Sequence, residues 1–338
     1  MNRRALVFML TTLTASLTAS GVPDRQETIN RLQQAVSKAN IFELPSFVMK
    51  ATVHIENQGK SIDGIYQFLW NGPEQWREEI FVPGYQEIKI GGKGTISSQR
   101  RTDHLPLRIY NLHEALGFGS EGTGARTLNS SSLVQLDLRD SDTIKKAGER
   151  KVHGDHLACW EIVDTFQTAT EVCISGTQGT LVRGSVFVDK DFQPVGSKIF
   201  PRSLSFQEDE KTAATVSVTE LKSPAEFGTG AFQLPAGASI HPGCMNPTPF
   251  RIIKRTTPQY RDEARMLDAQ GVIAADVAIG IDGVPRIGSL VESSSSDLAD
   301  ATTRAIKQWR YAPALCSGQP VEVETVLQVG YTLSYHRR

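Results

Sequence analysis

A chain of 338 residues exceeds one compact domain, so two domains behind a short leader are expected. Hydrophobic residues make up 39% and charged residues 22%, an ordinary globular balance that excludes wholesale disorder. With 36 Lys+Arg against 37 Asp+Glu the net charge is −1, so no global basic field exists for a polyanion and nucleic acid is excluded as a partner.

Residues 1–20 carry Arg3 and Arg4, an apolar run from Ala5 to Leu17 and small residues near Ser20, the three parts of a secretory signal peptide. Export to the periplasm follows from that reading. The alternative is an uncleaved leader that anchors the chain in the inner membrane, although the apolar run is shorter than the ~20 residues a spanning helix needs.

Residues 24–222 are expected to form one domain. Ile29, Leu32, Val36 and Ala39 recur at helical spacing between Asp24 and Ala39, which predicts an amphipathic helix. From Phe47 to about Leu221 the pattern changes to short alternating runs broken by Gly, Pro, Asn and Asp, as in Phe47–Ile55, Gly64–Trp70, Gln86–Ile90 and Leu181–Val188. Such runs predict a curved antiparallel sheet or half-barrel. A short helix is expected from Leu112 to Phe118, and Gly117–Gly124 reads as a flexible loop because it lacks the Lys-Ser/Thr of a phosphate cradle. His153-Gly-Asp-His156 reads as a turn rather than a metal cage. Glu78-Glu79 and Glu208-Asp209-Glu210 have no nucleophile or His beside them and read as solvated faces. No catalytic constellation is visible, so an enzyme is not expected; no cofactor and no metal are expected either.

Cys159 and Cys173 lie in two strand-like runs joined by a polar turn, which predicts a cross-strand disulfide. Cys244 and Cys316 remain as a second pair, stapling the entry of the C-terminal domain to an interior loop. Four cysteines allow three connectivities, and local geometry points to this one. The Cys-X13-Cys and Cys-X71-Cys spacings do not suit zinc.

Residues 223–243 are rich in Gly, Pro and Ala and read as a linker to a domain at 244–338. There, Pro258 is expected to start a helix with Tyr260, Ala264 and Leu267 on one face and Gly271 as its left-handed cap. The strand from Val272 turns at Asp282-Gly283, a favoured two-residue hairpin, and returns through Arg286–Val291. Ser293–Ser296 caps a second helix whose stripe is Leu298, Ala301, Ala305, Ile306 and Trp309, with Pro313 barring its continuation. The last strand alternates Val321, Val323, Thr325, Leu327, Val329 and Tyr331, with Leu333 beyond. The whole chain is thus expected to be α+β: an N-terminal helix with a curved antiparallel sheet, then a small αββαβ sandwich.

Pro258-Gln-Tyr260, Gly271-Val272, Ile281-Asp282-Gly283-Val284, the serine run, Trp309-Arg-Tyr311-Ala-Pro313 and Gly318-Gln-Pro-Val321 stand in one order over about 75 residues. That set resembles the C-terminal domain of the TonB energy-transducer family. Arg261 and Ala274 depart from the family pattern, and the long Pro-rich spacer of the transducers is absent. The resemblance implies a periplasmic module that grips an extended segment of an outer-membrane transporter, or of another envelope protein, by strand addition. The binding edge would then be Val323, Thr325, Leu327, Val329, Tyr331 and Leu333. The same strand could instead be covered by the N-terminal domain or pair a homodimer. Residues 25–222, with Trp70-Asn-Gly-Pro-Glu-Gln-Trp-Arg-Glu-Glu79, are similar to LolA-like lipoprotein carriers. That resemblance implies a lipid or lipoprotein carrier with an apolar cavity, against which stands an ordinary filled core.

Overall fold

The structure is a computed structural model. It describes residues 25–331 except 58–59, 93–94, 101–108, 110–111, 114–115, 117–137, 139, 153, 164–168, 184–186, 209–210, 237–240, 245–247, 249, 260–265, 267–268 and 293–294. The leader, the Gly117–Gly124 loop, the Pro258 helix, Tyr260 and Leu333 lie wholly or mainly outside those residues.

Helix α1 (Arg25–Ala39) forms where expected and buries Thr28, Leu32, Ala35, Val36 and Ala39 along one stripe. A 3-10 turn (Ile41–Glu43) follows, capped by the Asn40 side chain, which accepts from the Phe42 amide at 3.1 Å. The chain then builds an antiparallel run: β1 (Phe47–Asn57), β2 (Lys60–Trp70), β3 (Trp76–Val82), β4 (Tyr85–Gly92) and β5 (Thr95–Arg100). Next come β6 (Thr143–Val152), β7 (Asp155–Val163), β8 (Ala169–Ser175) and β9 (Leu181–Arg183), then β10 (Phe187–Val195), β11 (Lys198–Glu208) and β12 (Lys211–Lys222). A short β13 (His241–Cys244) completes the first large sheet, a nine-stranded open one in the order β10-β11-β12-β1-β2-β3-β4-β5-β13. Strands β6 to β9 make a separate four-stranded sheet. The fold is α+β, with open antiparallel sheets and no closed barrel.

Period-two alternation decides which side chains enter the core. Phe47, Met49, Ala51, Val53 and Ile55 of β1, with Tyr66, Phe68 and Trp70 of β2, are buried together in the main cluster. Helical residues Ile109, Leu112 and Leu116 pack into the same cluster. Phe47, Phe68, Trp70 and Trp76 stack at centroid separations near 6 Å. Helix α1 instead lays Leu32 and Val36 on Trp160, Ile162 and Val172 of the smaller sheet, with the Arg31 guanidinium 5.3 Å from the Trp160 ring centroid.

The segment expected as a linker is held against the large sheet. Arg77 donates to the Ala231 and Gln233 carbonyls at 3.2 and 2.7 Å, and Ser46 exchanges hydrogen bonds with Ala225. The expected boundary at 243/244 falls inside β13, which pairs with β5 from His241↔Ser98 to Cys244↔Thr95.

The C-terminal module comprises β14 (Arg251–Lys254), β15 (Gly271–Ile279), β16 (Pro285–Glu292), α2 (Ser296–Ile306), β17 (Arg310–Ala312), β18 (Ala314–Cys316), β19 (Gln319–Val321) and β20 (Val323–Tyr331). Its sheet runs β16-β15-β20, flanked by the ribbons β14-β17 and β18-β19. Two expectations are corrected. The β15–β16 connection is a five-residue loop from Gly280 to Val284 rather than a two-residue turn, because pairing starts at Ile279↔Pro285 and Asp282 Oδ1 accepts the Val284 amide. Helix α2 stops at Ile306, well before Pro313, because Arg310–Ala312 pairs as a strand with β14.

Candidate functional site

Strand β20 is an edge. It pairs with β15 over nine positions, from Gly271↔Tyr331 to Ile279↔Val323, and with no other strand among the described residues. The side chains expected along this edge divide by face. Val323, Val329 and Tyr331 are buried in the module's own core with Ile273, Ala275, Val277, Leu298, Ile306 and Trp309; Leu327 packs against that core and Thr325 is buried. The Tyr331 hydroxyl meets Thr302 Oγ1 at 2.8 Å and donates to the Leu298 carbonyl at 3.3 Å, which fixes the strand on α2. What β20 can offer a partner is therefore its outer backbone edge.

The family-motif residues hold this arrangement in place. Gly283 has φ +71°, and a Cβ there would sit 1.9 Å from the Tyr311 carbonyl oxygen. Its own carbonyl accepts the Tyr311 amide at 3.0 Å, so the hairpin loop locks onto β17. Trp309 and Tyr311 are core residues, with Trp309 Nε1 donating to the Thr256 carbonyl at 2.7 Å. Asp282 is exposed in the loop, Pro258 and Pro313 are half-buried, and Gly271 opens β15 with φ +140°.

The opposite face of the β15–β20 pair is covered at Ala274, Asp276 and Val326, which are all buried. Ala274 and Val326 belong to the hydrophobic cluster of the large sheet, although they sit in the C-terminal module. Beside them the Arg100 guanidinium at the end of β5 grips the Glu324 carboxylate through both terminal nitrogens. Burial works to lower the Arg100 pKa, but the Glu324 hydrogen bonds and charge outweigh it and raise it. Asp276, 2% exposed, has an Oδ2 with no hydrogen-bond partner. Burial first and the Glu324 charge second, opposed by Arg100, push its carboxyl up to about 7.

This contact continues into a polar cluster that sequence reading missed. Glu78, expected on a solvated face, is 6% exposed, because it shares the inward register of Trp76 and Ile80 while Glu79 points outward to Arg77. Tyr66 donates to Glu78 at 2.9 Å and Tyr85 to Glu87 at 2.7 Å. Lys89 lies between the two carboxylates at 3.7 and 3.5 Å, with His113 3.6 Å from Glu78. Burial works to raise the Glu87 carboxyl, yet Lys89, His113, the Tyr85 hydroxyl and Arg100 together hold it below its ordinary value. Burial, helped by the Lys89 charge and opposed by Glu78 and Glu87, lowers the His113 pKa. The only sequence clue was the alternation of β3 and β4, which places these charges on the core face.

Cys159 and Cys173 stand directly opposite in β7 and β8 and form the expected disulfide. Their sulfurs lie near Glu171, but the bond uses both thiols and leaves no thiolate to ligate a metal. Cys316 is also disulfide-bonded. Asp155, the first residue of β7, accepts from the Thr177 hydroxyl and amide at 2.8 and 3.0 Å and so ties to the β8–β9 connection; His153 lies outside the described residues. No described helix is long and apolar enough to cross a membrane.

A small helix-backed three-stranded module whose terminal strand pairs with one neighbour among the described residues, docked on an open antiparallel sheet, defines the class. Residues 256–333 match the family model described as Gram-negative bacterial TonB protein C-terminal, the family its motifs resemble. Among solved structures the chain is similar to a LolA-superfamily protein from Nitrosomonas europaea, at 11% identity over 61% of this chain and 97% of that one, with a TM-score of 0.37. A DUF1329-family protein from Desulfovibrio piger is similar at 11% identity over 61% and 97%, with a TM-score of 0.39. No curated protein matches the chain.

Proposed function

We propose that the chain is an exported cell-envelope binding protein of the TonB type, whose C-terminal module captures an extended segment of an outer-membrane transporter or another envelope protein by adding it to β20. The observation that carries this reading is the terminal edge: β20 pairs over nine positions with β15 and with no other strand among the described residues, in a module that matches the TonB C-terminal family. Because the inward side chains of β20 are spent on the module's own core, affinity comes from backbone hydrogen bonds. Selectivity falls to residues around the edge, such as Glu322 and Gly330, which are exposed.

The lipid-carrier alternative needs an apolar cavity. The core face of β3 and β4 carries Glu78, Glu87 and Lys89, and large side chains such as Phe47, Met49 and Ile109 are buried in the main cluster. That arrangement gives the alternative no specific support.

Gly330 is exposed and has open space where a Cβ would stand, so it accepts a photocrosslinking residue without strain. In cells, irradiation should join this position to an envelope protein through one short segment. Crosslinks to random neighbours, or none, would count against strand addition.

A further inference from the structure

From Cys244 to Tyr260 and from Thr303 to Val321 the chain has no Asp or Glu, in a protein whose overall charge is −1. The fold brings these two acid-free segments together as the β14-β17 ribbon, through Arg251↔Ala312, Ile252↔Tyr311 and Lys254↔Arg310. Arg251, Lys254, Arg255, Lys307 and Arg310 are all exposed, and none forms an ion pair among the described residues. Between them Ile252 is 53% and Ile253 69% exposed. A register shift falls between Ile252 and Lys254, so the two isoleucines mark an irregular point of the strand.

Contacts at both ends tie the ribbon to the module. Trp309 Nε1 is bonded to the Thr256 carbonyl, the Arg255 guanidinium lies 5.1 Å from the Trp309 ring centroid, and Phe250 meets Tyr311 edge-on at 5.4 Å. A preformed cationic strand loses little ordering entropy when a partner docks. Strand β14 also pairs on one side only among the described residues. Unpaired backbone groups call for a directional partner, which an extended polypeptide supplies and a bilayer does not.

We propose that the outer edge of β14 docks an extended acidic protein segment interleaved with apolar side chains, as a second contact surface separate from β20. Its carboxylates meet Arg251, Lys254, Arg255 and Arg310, and its apolar side chains cover Ile252 and Ile253. Most of the recognition is electrostatic, so salt weakens it.

The test uses the full chain and two labelled extended peptides, one alternating Glu and Val and the other Lys and Val. The Glu/Val peptide should bind and slow amide exchange at 251–254. The double variant Arg251→Glu/Lys254→Glu, at two exposed positions, should bind it roughly tenfold more weakly with an unchanged near-UV spectrum. Equal binding of the Lys/Val peptide, or unchanged affinity in the double variant, would overturn the proposal. So would binding to phosphatidylglycerol vesicles through these residues without peptide binding. Protection confined to 323–331 would belong to the β20 edge and likewise overturn it.

Discussion

Arg100 and Glu324, 224 positions apart in sequence, form a two-pronged ion pair between the large sheet and the strand that carries the proposed binding edge. Their side chains are 11% and 20% exposed, so the pair is largely withdrawn from water. Removing one partner leaves a desolvated charge behind, whereas removing both does not. Arg100→Met should therefore cost about 3 kcal/mol, and the Arg100→Met/Glu324→Gln double variant clearly less than the sum of the singles. Denaturant titration of the four chains reads the coupling; strictly additive losses would mean that the pair does not join the two units.

Asp276 makes stability depend on pH in an unusual direction. Its folded pKa is raised to about 7 from the ordinary aspartate value of 3.8, so between those values the folded state holds a proton that the unfolded chain has released. Stability from this group is thus full below pH 4 and falls as pH rises toward 7, by on the order of 4 kcal/mol at most. Asp276→Asn, which keeps the shape and removes the titration, should flatten the fall and raise stability at pH 8. A variant profile parallel to the native one would show that Asp276 is not the group responsible.

Gly283 has no room for a side chain. Gly283→Ala places a methyl against the Tyr311 carbonyl at a positive φ, and roughly 2 kcal/mol of stability should be lost. The urea midpoint should drop with an unchanged m-value. An unshifted midpoint would show that the hairpin loop and β17 are not locked as described.

The Cys159–Cys173 bridge closes a loop of sequence separation 14 in the smaller sheet. In the chain-entropy account such a loop is worth about 3 kcal/mol. Replacing both with Ser should speed amide exchange across β6 to β8 while leaving α2 and β20 unchanged. A uniform loss across the chain would mean that the two sheets unfold as one unit.

How much of this was legible in sequence follows from the range of each signal. Local periodicity located α1, the paired cysteines, the β15–β16 hairpin and α2, because each depends on neighbours within a few residues. The hairpin loop was misjudged because Gly283 is held by Tyr311, a contact far along the chain. Glu78 was misjudged because adjacent acids look solvated until strand register sends one inward. The meeting of Arg100, Asp276 and Glu324 has no sequence signature, since it arises from how one sheet face covers another. Nor did the composition of 223–243 foretell that Arg77 would hold that segment or that His241–Cys244 would extend the large sheet.

The central claim is that β20 pairs with a partner's extended backbone. Hydrogen exchange across residues 323–331, measured on the chain alone and bound to the segment captured from Gly330, tests it most directly. Strand addition predicts that amides pointing away from β15 slow strongly on binding, while those bonded to β15 change little. Slowing confined to another surface, with the outer amides of β20 exchanging as before, would contradict it.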